Sequence, residues 1–323
     1  MYIASSKSKH SLFVLIKLGI VVAAFYFIYQ KLTTHSKLNF YDFIDFLNEN
    51  HVFSLKHIIS LFILTFFNWF FEILKWQKLV SPIKKISFKN AVQQSLGALT
   101  ASLFTPNKIG EYGAKAAFYV KEFRKRILFV NLLSNLMQMA ATCLLGIIGL
   151  WFFINEFPLK IDYNKMIVVL TIGVFALLII GFIIRKYAFK IREFQIEKII
   201  RFTKQFPKNI IFMGFSFSLI RYLIFSFQFY YLLHIFGAEI DYFNAMGVIT
   251  SMYFLASILP TIFIFDVVIK GSVAVYLFSF LSIHEFTILS IITLMWLLNL
   301  VLPSIYGSYY VLRFNFPKNT VNA

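Results

Sequence analysis

The stretch Thr105–Ala117, TPNKIGEYGAKAA, places a helix-start signal and several charges between two apolar segments. Thr105 can cap a helix whose first residue is Pro106, which is the usual order at a helix N-terminus. The charged residues that follow are Lys108, Glu111 and Lys115. Because charges are scarce in the apolar parts of the chain, this segment predicts a helix that is interrupted for a functional reason.

The surrounding chain has the composition of a polytopic membrane protein. Of its 323 residues, 59% are hydrophobic and only 14% are charged. Several apolar runs exceed the roughly 18 residues that can cross a bilayer. The net charge is +17, but the Lys and Arg residues cluster at the ends of apolar runs, where they set orientation. We therefore expect no nucleic-acid partner. The single cysteine, Cys143, predicts neither a disulfide nor a cysteine metal site, and no metal or cofactor is expected.

Six apolar runs predict transmembrane helices, which makes the expected fold class all-α. They cover about residues 12–30, 57–76, 127–154, 166–184, 209–236 and 286–312. Residues 75–89 and 185–208 are rich in Lys and Arg and are predicted to be cytoplasmic, whereas 31–56, 154–165 and 237–243 are predicted to face outward. We expect a multi-pass protein of the cell membrane with both termini in the cytoplasm.

Two further apolar stretches, 88–120 and 243–281, are interrupted by Pro106 and Pro260. The charge pattern assigns both ends of the first stretch to the cytoplasmic side and both ends of the second to the outer side. We therefore predict two re-entrant helical hairpins. Irregular backbone at membrane depth must be buried in protein or line a wet cavity, so the two breaks predict an intramembrane cavity.

The two hairpins also resemble one another in sequence. Asn90 and Asn244 each precede the proline of their hairpin by the same 16 residues. An acid and a lysine four residues apart follow each proline, as Glu111/Lys115 and Asp266/Lys270. Together with the opposite orientations, this predicts an inverted-topology repeat, with repeat one at about 57–154 and repeat two at about 209–312 of a single domain, 1–323.

The candidate substrate site consists of polar and charged residues at the breaks and within the spans. A half-helix beginning near Thr105 offers free amides to a phosphate, with Asn107 and Lys108 in its first turn. Alternatively, the Thr-Pro pair only begins a buried helix and Lys108 reaches to an interface. Gly110 allows a close helix approach. Ionisable groups inside a membrane are functional candidates by default, and they are Glu111, Lys115, Arg221, Asp266 and Lys270.

Arg221 lies too deep in its span to reach water easily, so it needs a partner. Glu111, Asp266 and a substrate phosphate are the candidates, and a buried ion pair that only fixes packing is the structural alternative. Glu72 and Lys75 predict an interfacial ion pair with Trp76 as an interfacial aromatic residue. Gln228 is expected to form hydrogen bonds between helices, and Asn299 is expected to serve packing.

Three motifs resemble one known family: NWFFEILKWQKL at 68–79, SFKNA at 87–91 and TPNKIGEYGAKA at 105–116. They are similar to the signatures of the lysylphosphatidylglycerol synthase transmembrane region, or flippase-like, family, and the resemblance covers nearly the whole chain. It implies a membrane domain that moves polar or aminoacylated lipids between leaflets. By residue matching it points to Glu72, Lys75, Thr105, Pro106, Gly110, Glu111 and Lys115. Little sequence follows the last predicted span, so we expect no synthase domain.

The predicted function is non-enzymatic transfer of a phosphate-bearing polar lipid or lipid-linked intermediate between leaflets. The expected partner is a membrane phospholipid or a polyprenyl-linked lipid, and a homo-oligomer or an envelope-enzyme partner stays open. Two alternatives remain. One is a non-catalytic membrane partner of a cell-envelope lipid or glycan enzyme. The other is an intramembrane lipid-modifying enzyme, which would need a nucleophile or paired carboxylates that the sequence does not reveal.

Overall fold

The computed structural model describes residues 14–22, 26, 40–103, 105, 109–157, 206–258 and 266–317, and of residues 40 and 266–270 it describes the backbone alone. The described residues form helices and no strand. After a helical stretch at 14–22, the helices are α1 (Phe40–Glu49), α2 (Leu55–Val80), α3 (Phe88–Ser102), α4 (Gly110–Ala117), α5 (Lys121–Glu156), α6 (Lys208–Ile235), α7 (Tyr242–Ile258), α8 (Asp266–Ser279), α9 (Glu285–Trp296) and α10 (Leu302–Leu312). A π-helical turn, Leu297–Val301, joins α9 to α10.

Four helical segments are long and apolar enough to cross a membrane. They are α2, α5, α6 and the continuous segment from α9 through α10, Glu285–Leu312. Their outer surfaces carry large apolar side chains, such as Phe66, Ile147 and Phe212, which suit contact with lipid. These four agree with four of the six predicted spans. The predicted span at 166–184 lies outside the described residues, and the one at 12–30 is described only in part.

Two short helices are described within each of the two predicted hairpins. In the first, α3 ends at Ser102 and α4 begins at Gly110. In the second, α7 ends at Ile258 and α8 begins at Asp266. In both cases the two short helices pack against each other. Ser87 begins α3 by accepting a hydrogen bond from the Asn90 amide at 3.3 Å, which satisfies one free donor of the first turn.

The helices pack in a reciprocal pattern. The first long span of each half packs against its counterpart, α2 against α6. The first hairpin helix, α3, packs along α10 at the end of the second half, and α7 packs along α5 at the end of the first half. Helices from the first part of the chain, 55–156, and from the later part, 208–312, therefore pack on one another in a reciprocal way.

Two glycines make these hairpin contacts close. A Cβ atom added at Gly307 of α10 would overlap the carbonyl oxygen of Leu96 in α3, and one added at Gly149 of α5 would overlap the hydroxyl of Thr250 in α7. Leu96 and Thr250 each lie six residues after the asparagine that marks the predicted repeat. The same position of each hairpin helix is thus approached by a glycine of the opposite half.

The predicted outer loop at 31–56 contains a helix, α1, that the sequence analysis did not anticipate. Phe43 and Leu47 are four residues apart, so they share one face of α1, and both are buried. On the same helix, the ring of Phe46 stacks on Phe236, at 4.9 Å between centroids, just beyond α6. This amphipathic helix therefore packs across the end of α6.

Candidate functional site

One face of α2 is polar although the helix spans an apolar region. Thr65, Asn68, Glu72 and Lys75 follow one another at spacings of three or four residues, so they lie on the same side of the helix. All four are buried. Lys75 donates to Glu72 Oε2 at 2.7 Å, which confirms the predicted ion pair. The pair is buried rather than interfacial, since only 2% of the Lys75 side chain is exposed.

Arg221, at the middle of α6, reaches across to this face. Its Nη1 lies 2.6 Å from Glu72 Oε2, so the same carboxylate oxygen binds Lys75 and Arg221. Its Nε donates to Asn68 Oδ1 at 3.0 Å, and Nη1 also contacts Gln138 Oε1 at 3.4 Å. The expectation that Glu111 or Asp266 would be the partner was wrong for Glu111. The reason is geometric: α2 packs along α6, whereas Glu111 lies on α4 and pairs with a lysine of its own helix.

The guanidinium of Arg221 keeps unused donor capacity. Within the part of the chain that the structure describes, its hydrogen bonds use Nε and Nη1 and leave Nη2 without a partner. One quarter of the side chain, 25%, is exposed, the most of any member of this ion-pair group. A planar guanidinium with a free edge is suited to a phosphate or carboxylate.

A chain of side-chain amides holds Asn68 in place beside Arg221. Because guanidinium groups only donate, Asn68 must present its oxygen to Arg221. Its amide nitrogen then donates to Asn299 Oδ1 at 2.7 Å. Asn299 in turn donates to Gln228 Oε1 at 2.9 Å, and Gln228 donates to Thr65 Oγ1 at 3.0 Å. Gln228 therefore forms the predicted hydrogen bonds between helices, whereas Asn299 does more than the packing expected of it.

The π-helical turn explains how Asn299 is positioned. Pro303 has no amide hydrogen, so the carbonyl four residues earlier, that of Asn299, lacks its usual helical donor. The indole Nε1 of Trp69 donates to that carbonyl at 3.0 Å. The backbone around Asn299 is widened into the π turn, a feature that often occurs at functional sites. Pro303 and Trp69 together place the Asn299 side chain against α2.

Lys115 of α4 forms a second buried ion pair. Its Nζ lies 2.7 Å from Glu111 Oε1 and donates to Asn131 Oδ1 of α5 at 2.9 Å. It also lies over the ring of Trp76, 4.1 Å from the centroid, which is a cation–π contact. The lysine side chain is 1% exposed and its glutamate 18%. Glu111 and Lys115 therefore form an ion pair within one turn of the helix, a contact that was not predicted from the sequence.

Trp76 lies under the ammonium group of Lys115 and is not an interfacial aromatic residue as predicted. It is fully buried, and its indole donates to Gln94 Oε1 of α3 at 2.8 Å. The phenol of Tyr119, in the connection between α4 and α5, donates to the same oxygen at 2.7 Å. Burial raises the pKa of Tyr119 to about 12, so this phenol stays a neutral donor. The tryptophan is thus a fixed platform for Lys115.

The two pairs form one charged cluster, which we define as Glu72, Lys75, Glu111, Lys115 and Arg221. Helix α5 borders both pairs, with Asn131 at Lys115 and Gln138 at Arg221. Seven residues separate these two positions, which corresponds to about 10 Å along a helix. The charged cluster therefore extends over a distance comparable to a lipid headgroup.

The remaining predicted site residues are described only in part. The hydroxyl of Thr105 accepts from the Gly110 amide at 2.9 Å, so it satisfies a donor at the start of α4, although the helix begins at Gly110 and not at Pro106. Pro106, Asn107 and Lys108 lie outside the described residues. Asp266 and Lys270 fall in α8, but their side chains are not described. Within the described part, no three His, Cys, Asp or Glu residues come together as metal ligands would.

Several residues of the site were not singled out from the sequence. They are Asn68, Trp69, Gln94, Asn131 and Gln138. A usable signal existed for Asn68, because it lies four residues before Glu72 in an apolar helix and so shares its face. Asn131 and Gln138 carry a similar signal, since they are seven residues apart and stand on one side of α5.

The family described as lysylphosphatidylglycerol synthase TM region matches residues 14–307, so the chain belongs to that family and is a multi-pass membrane protein. No curated protein and no solved structure matches the chain.

Proposed function

We propose that this member of the family moves a phosphate-bearing polar lipid, or a lipid-linked intermediate, between the two leaflets of the cell membrane. The headgroup would pass the charged cluster while the acyl chains stay in the bilayer. Arg221 is the observation that carries this proposal. It lies in the middle of a membrane span, it is partly exposed, and its Nη2 is unused within the described residues.

The free-energy cost of ionised side chains inside a membrane supports a functional role for this cluster. An ionisable side chain in the bilayer costs several kcal/mol on most scales, and such residues generally mark substrate paths. A pair kept only for packing would be expected to satisfy all of its donors. The free edge of Arg221 and its exposure of 25% favour binding over packing.

The architecture supports a route between leaflets. We propose that the two broken helix pairs, α3–α4 and α7–α8, are re-entrant hairpins of an inverted repeat within one domain, with six full spans in all. The reciprocal packing of α3 on α10 and of α7 on α5 supports this arrangement. The matching positions of Leu96 and Thr250 support it as well. Discontinuous helices between inverted repeats are a common means of placing substrate at mid-membrane.

In this proposal the path of the phosphate includes the residues before α4, which are Thr105, Pro106, Asn107 and Lys108. Gly110 permits a close approach between α4 and a neighbouring helix. Asp266 and Lys270 are the corresponding charges of the second hairpin. We propose that both termini lie in the cytoplasm, and the excess of Lys and Arg in the predicted cytoplasmic loops supports this orientation. The chain would transfer lipid without altering it, and it would need no cofactor.

A leaflet-exchange assay tests the proposal. Purified protein is reconstituted into liposomes that contain phosphatidylglycerol with a fluorophore on one acyl chain and a headgroup free to bind. Back-extraction of the outer leaflet by albumin measures how fast labelled lipid arrives from the inner leaflet. The wild-type protein should accelerate exchange over protein-free vesicles, and Arg221→Gln should abolish the acceleration.

Arg313→Gln is the matched control, because Arg313 is exposed at the end of α10 and stacks on Tyr309 outside the charged cluster. This variant should exchange lipid as the wild type does. Circular dichroism and gel filtration in detergent establish that each variant is folded. If the wild-type protein gives no acceleration, the transport proposal is wrong. The role of an envelope-enzyme partner, or of an intramembrane enzyme acting on lipid, would then take precedence.

A further inference from the structure

The charges of the cluster do not balance. Three cations, Lys75, Lys115 and Arg221, face two carboxylates, Glu72 and Glu111. The cluster as defined therefore carries one net positive charge when all five groups are ionised. A single uncompensated charge among buried groups is costly, so a state that neutralises it is favoured.

The surplus can be located. Lys115 has Glu111 to itself, whereas Lys75 and Arg221 share one oxygen of Glu72, Oε2. Of the two cations that share, the Lys75 side chain is 2% exposed and that of Arg221 is 25% exposed. Among the side chains that the structure describes, the uncompensated charge is thus accessible at Arg221, on the edge of the guanidinium that carries Nη2.

Both carboxylates of the cluster are already engaged by cations at 2.7 Å or less. A headgroup that brought its own ammonium group would find no carboxylate free of such a partner in the cluster, and it would be repelled by the excess of positive charge. A phosphodiester whose substituent is uncharged would neutralise the cluster instead. The charge count therefore discriminates between classes of headgroup.

We propose that the charged cluster selects lipids whose headgroup has a net negative charge over zwitterionic and cationic lipids. This inference rests on the transport function proposed above and adds the substrate class to it. This selection arises from the Coulomb interaction of the lipid with the whole cluster and not from the fit of the headgroup against one residue. The preference between lipids should therefore change when the net charge of the cluster is changed, even at a residue that does not contact the lipid.

The test compares two probes in the same liposomes, phosphatidylglycerol and phosphatidylethanolamine, each labelled with a distinguishable fluorophore on an acyl chain. The measured quantity is the ratio of their protein-dependent exchange rates. Lys115→Gln removes the surplus charge and keeps an amide that can bond to Asn131. It should lower the preference for phosphatidylglycerol about tenfold, the effect of one charge acting over roughly 12 Å at an effective dielectric constant of about 20.

The double variant Glu111→Gln/Lys115→Gln restores one net positive charge with neither member of the second ion pair present. It should recover the preference, although its absolute rate can differ. A packing role for the ion pair would leave the double variant as impaired as the single one. Lys75→Gln also removes one positive charge from the cluster, at the ion pair with Glu72. It is used in place of Lys115→Gln if Lys115→Gln does not purify as a folded protein.

A wild-type ratio near one, or a double variant that behaves as Lys115→Gln does, would overturn the charge selection and leave lipid transport intact. Absence of exchange for both probes would instead overturn the transport function, and the selection with it. A wild-type preference that disappears in Lys115→Gln and returns in the double variant is the expected result.

Discussion

The carboxylate of Glu72 and the guanidinium of Arg221 meet at 2.6 Å, although 149 residues separate them in the chain. Glu72 belongs to α2 and Arg221 to α6, two of the long spans. Their contact therefore joins these spans at the arginine for which we propose phosphate binding. Stability and function are expected to be coupled at this pair.

Replacing Glu72 by glutamine should destabilise the protein strongly. The substitution leaves Lys75 and Arg221 without their shared carboxylate, and breaking a buried pair on one side typically costs about 3–5 kcal/mol. Thermal unfolding in detergent, followed by circular dichroism, measures the effect. Glu49→Gln serves as the control, because Glu49 is exposed at the end of α1, and its cost should stay within about 0.5 kcal/mol. Equal unfolding midpoints for the two variants would contradict a buried role for the Glu72 charge.

Replacing Asn299 by leucine should both destabilise the protein and slow lipid exchange. The leucine leaves the amide of Asn68 without its acceptor and Gln228 Oε1 without its donor, which costs about 1–3 kcal/mol. Asn68 can then rotate away from Arg221, so exchange should fall more than the loss of folded protein explains. Asn155→Leu is the matched change at an exposed position of α5. Exchange by folded Asn299→Leu at the wild-type rate would exclude a positioning role for Asn299.

The sequence predicted the helical class and the spans that the structure describes, because each depends on a local pattern. The breaks at Pro106 and Pro260 stay predictions, since both prolines lie outside the described residues. Apolar length defines a span, and a proline after an apolar run with charges beyond it indicates a break. The helix α1 was missed because its apolar face is short and interrupted by polar residues. The region from 158 to 205 lies outside the described residues, so the predicted span and basic loop there stay predictions.

The sequence identified the charged residues of the site better than it identified the contacts between them. Glu72, Lys75, Glu111, Lys115 and Arg221 were all candidates, since ionisable residues stand out in an apolar chain. Pairs within one helical turn follow from spacing, which is why Glu72 and Lys75 were paired correctly. Glu111 and Lys115 have a similar spacing, but their pairing was not predicted. The partner of Arg221 depends on which helices pack together, and no local pattern encodes that. Asn299 was misjudged because its role arises from the π turn before Pro303.

Replacing Gly149 or Gly307 by alanine should destabilise the protein by similar amounts. At each position a methyl group would overlap an atom of the opposing hairpin helix, and such overpacking typically costs about 1–3 kcal/mol. Both variants are measured by thermal unfolding. The control is Gly113→Ala, since a Cβ there has nothing within 4 Å and alanine favours a helix. Unchanged stability in Gly149→Ala together with a large loss in Gly307→Ala would argue against equivalent packing in the two halves.

Arg221 is expected to contact the headgroup phosphate, and solid-state NMR can measure the distance between the two groups. Protein labelled with 15N at the arginine side chains is reconstituted with phosphatidylglycerol, and dipolar recoupling between 15N and the lipid 31P is recorded in the solid state. A guanidinium bound to a phosphate should give a coupling that corresponds to about 4 Å, the sum of a charge-assisted hydrogen bond and a P–O bond. We expect this coupling in the wild type and in Arg313→Gln, and its loss in Arg221→Lys. A coupling that persists unchanged in Arg221→Lys, or that is absent from the wild type during active exchange, would rule out phosphate binding by Arg221.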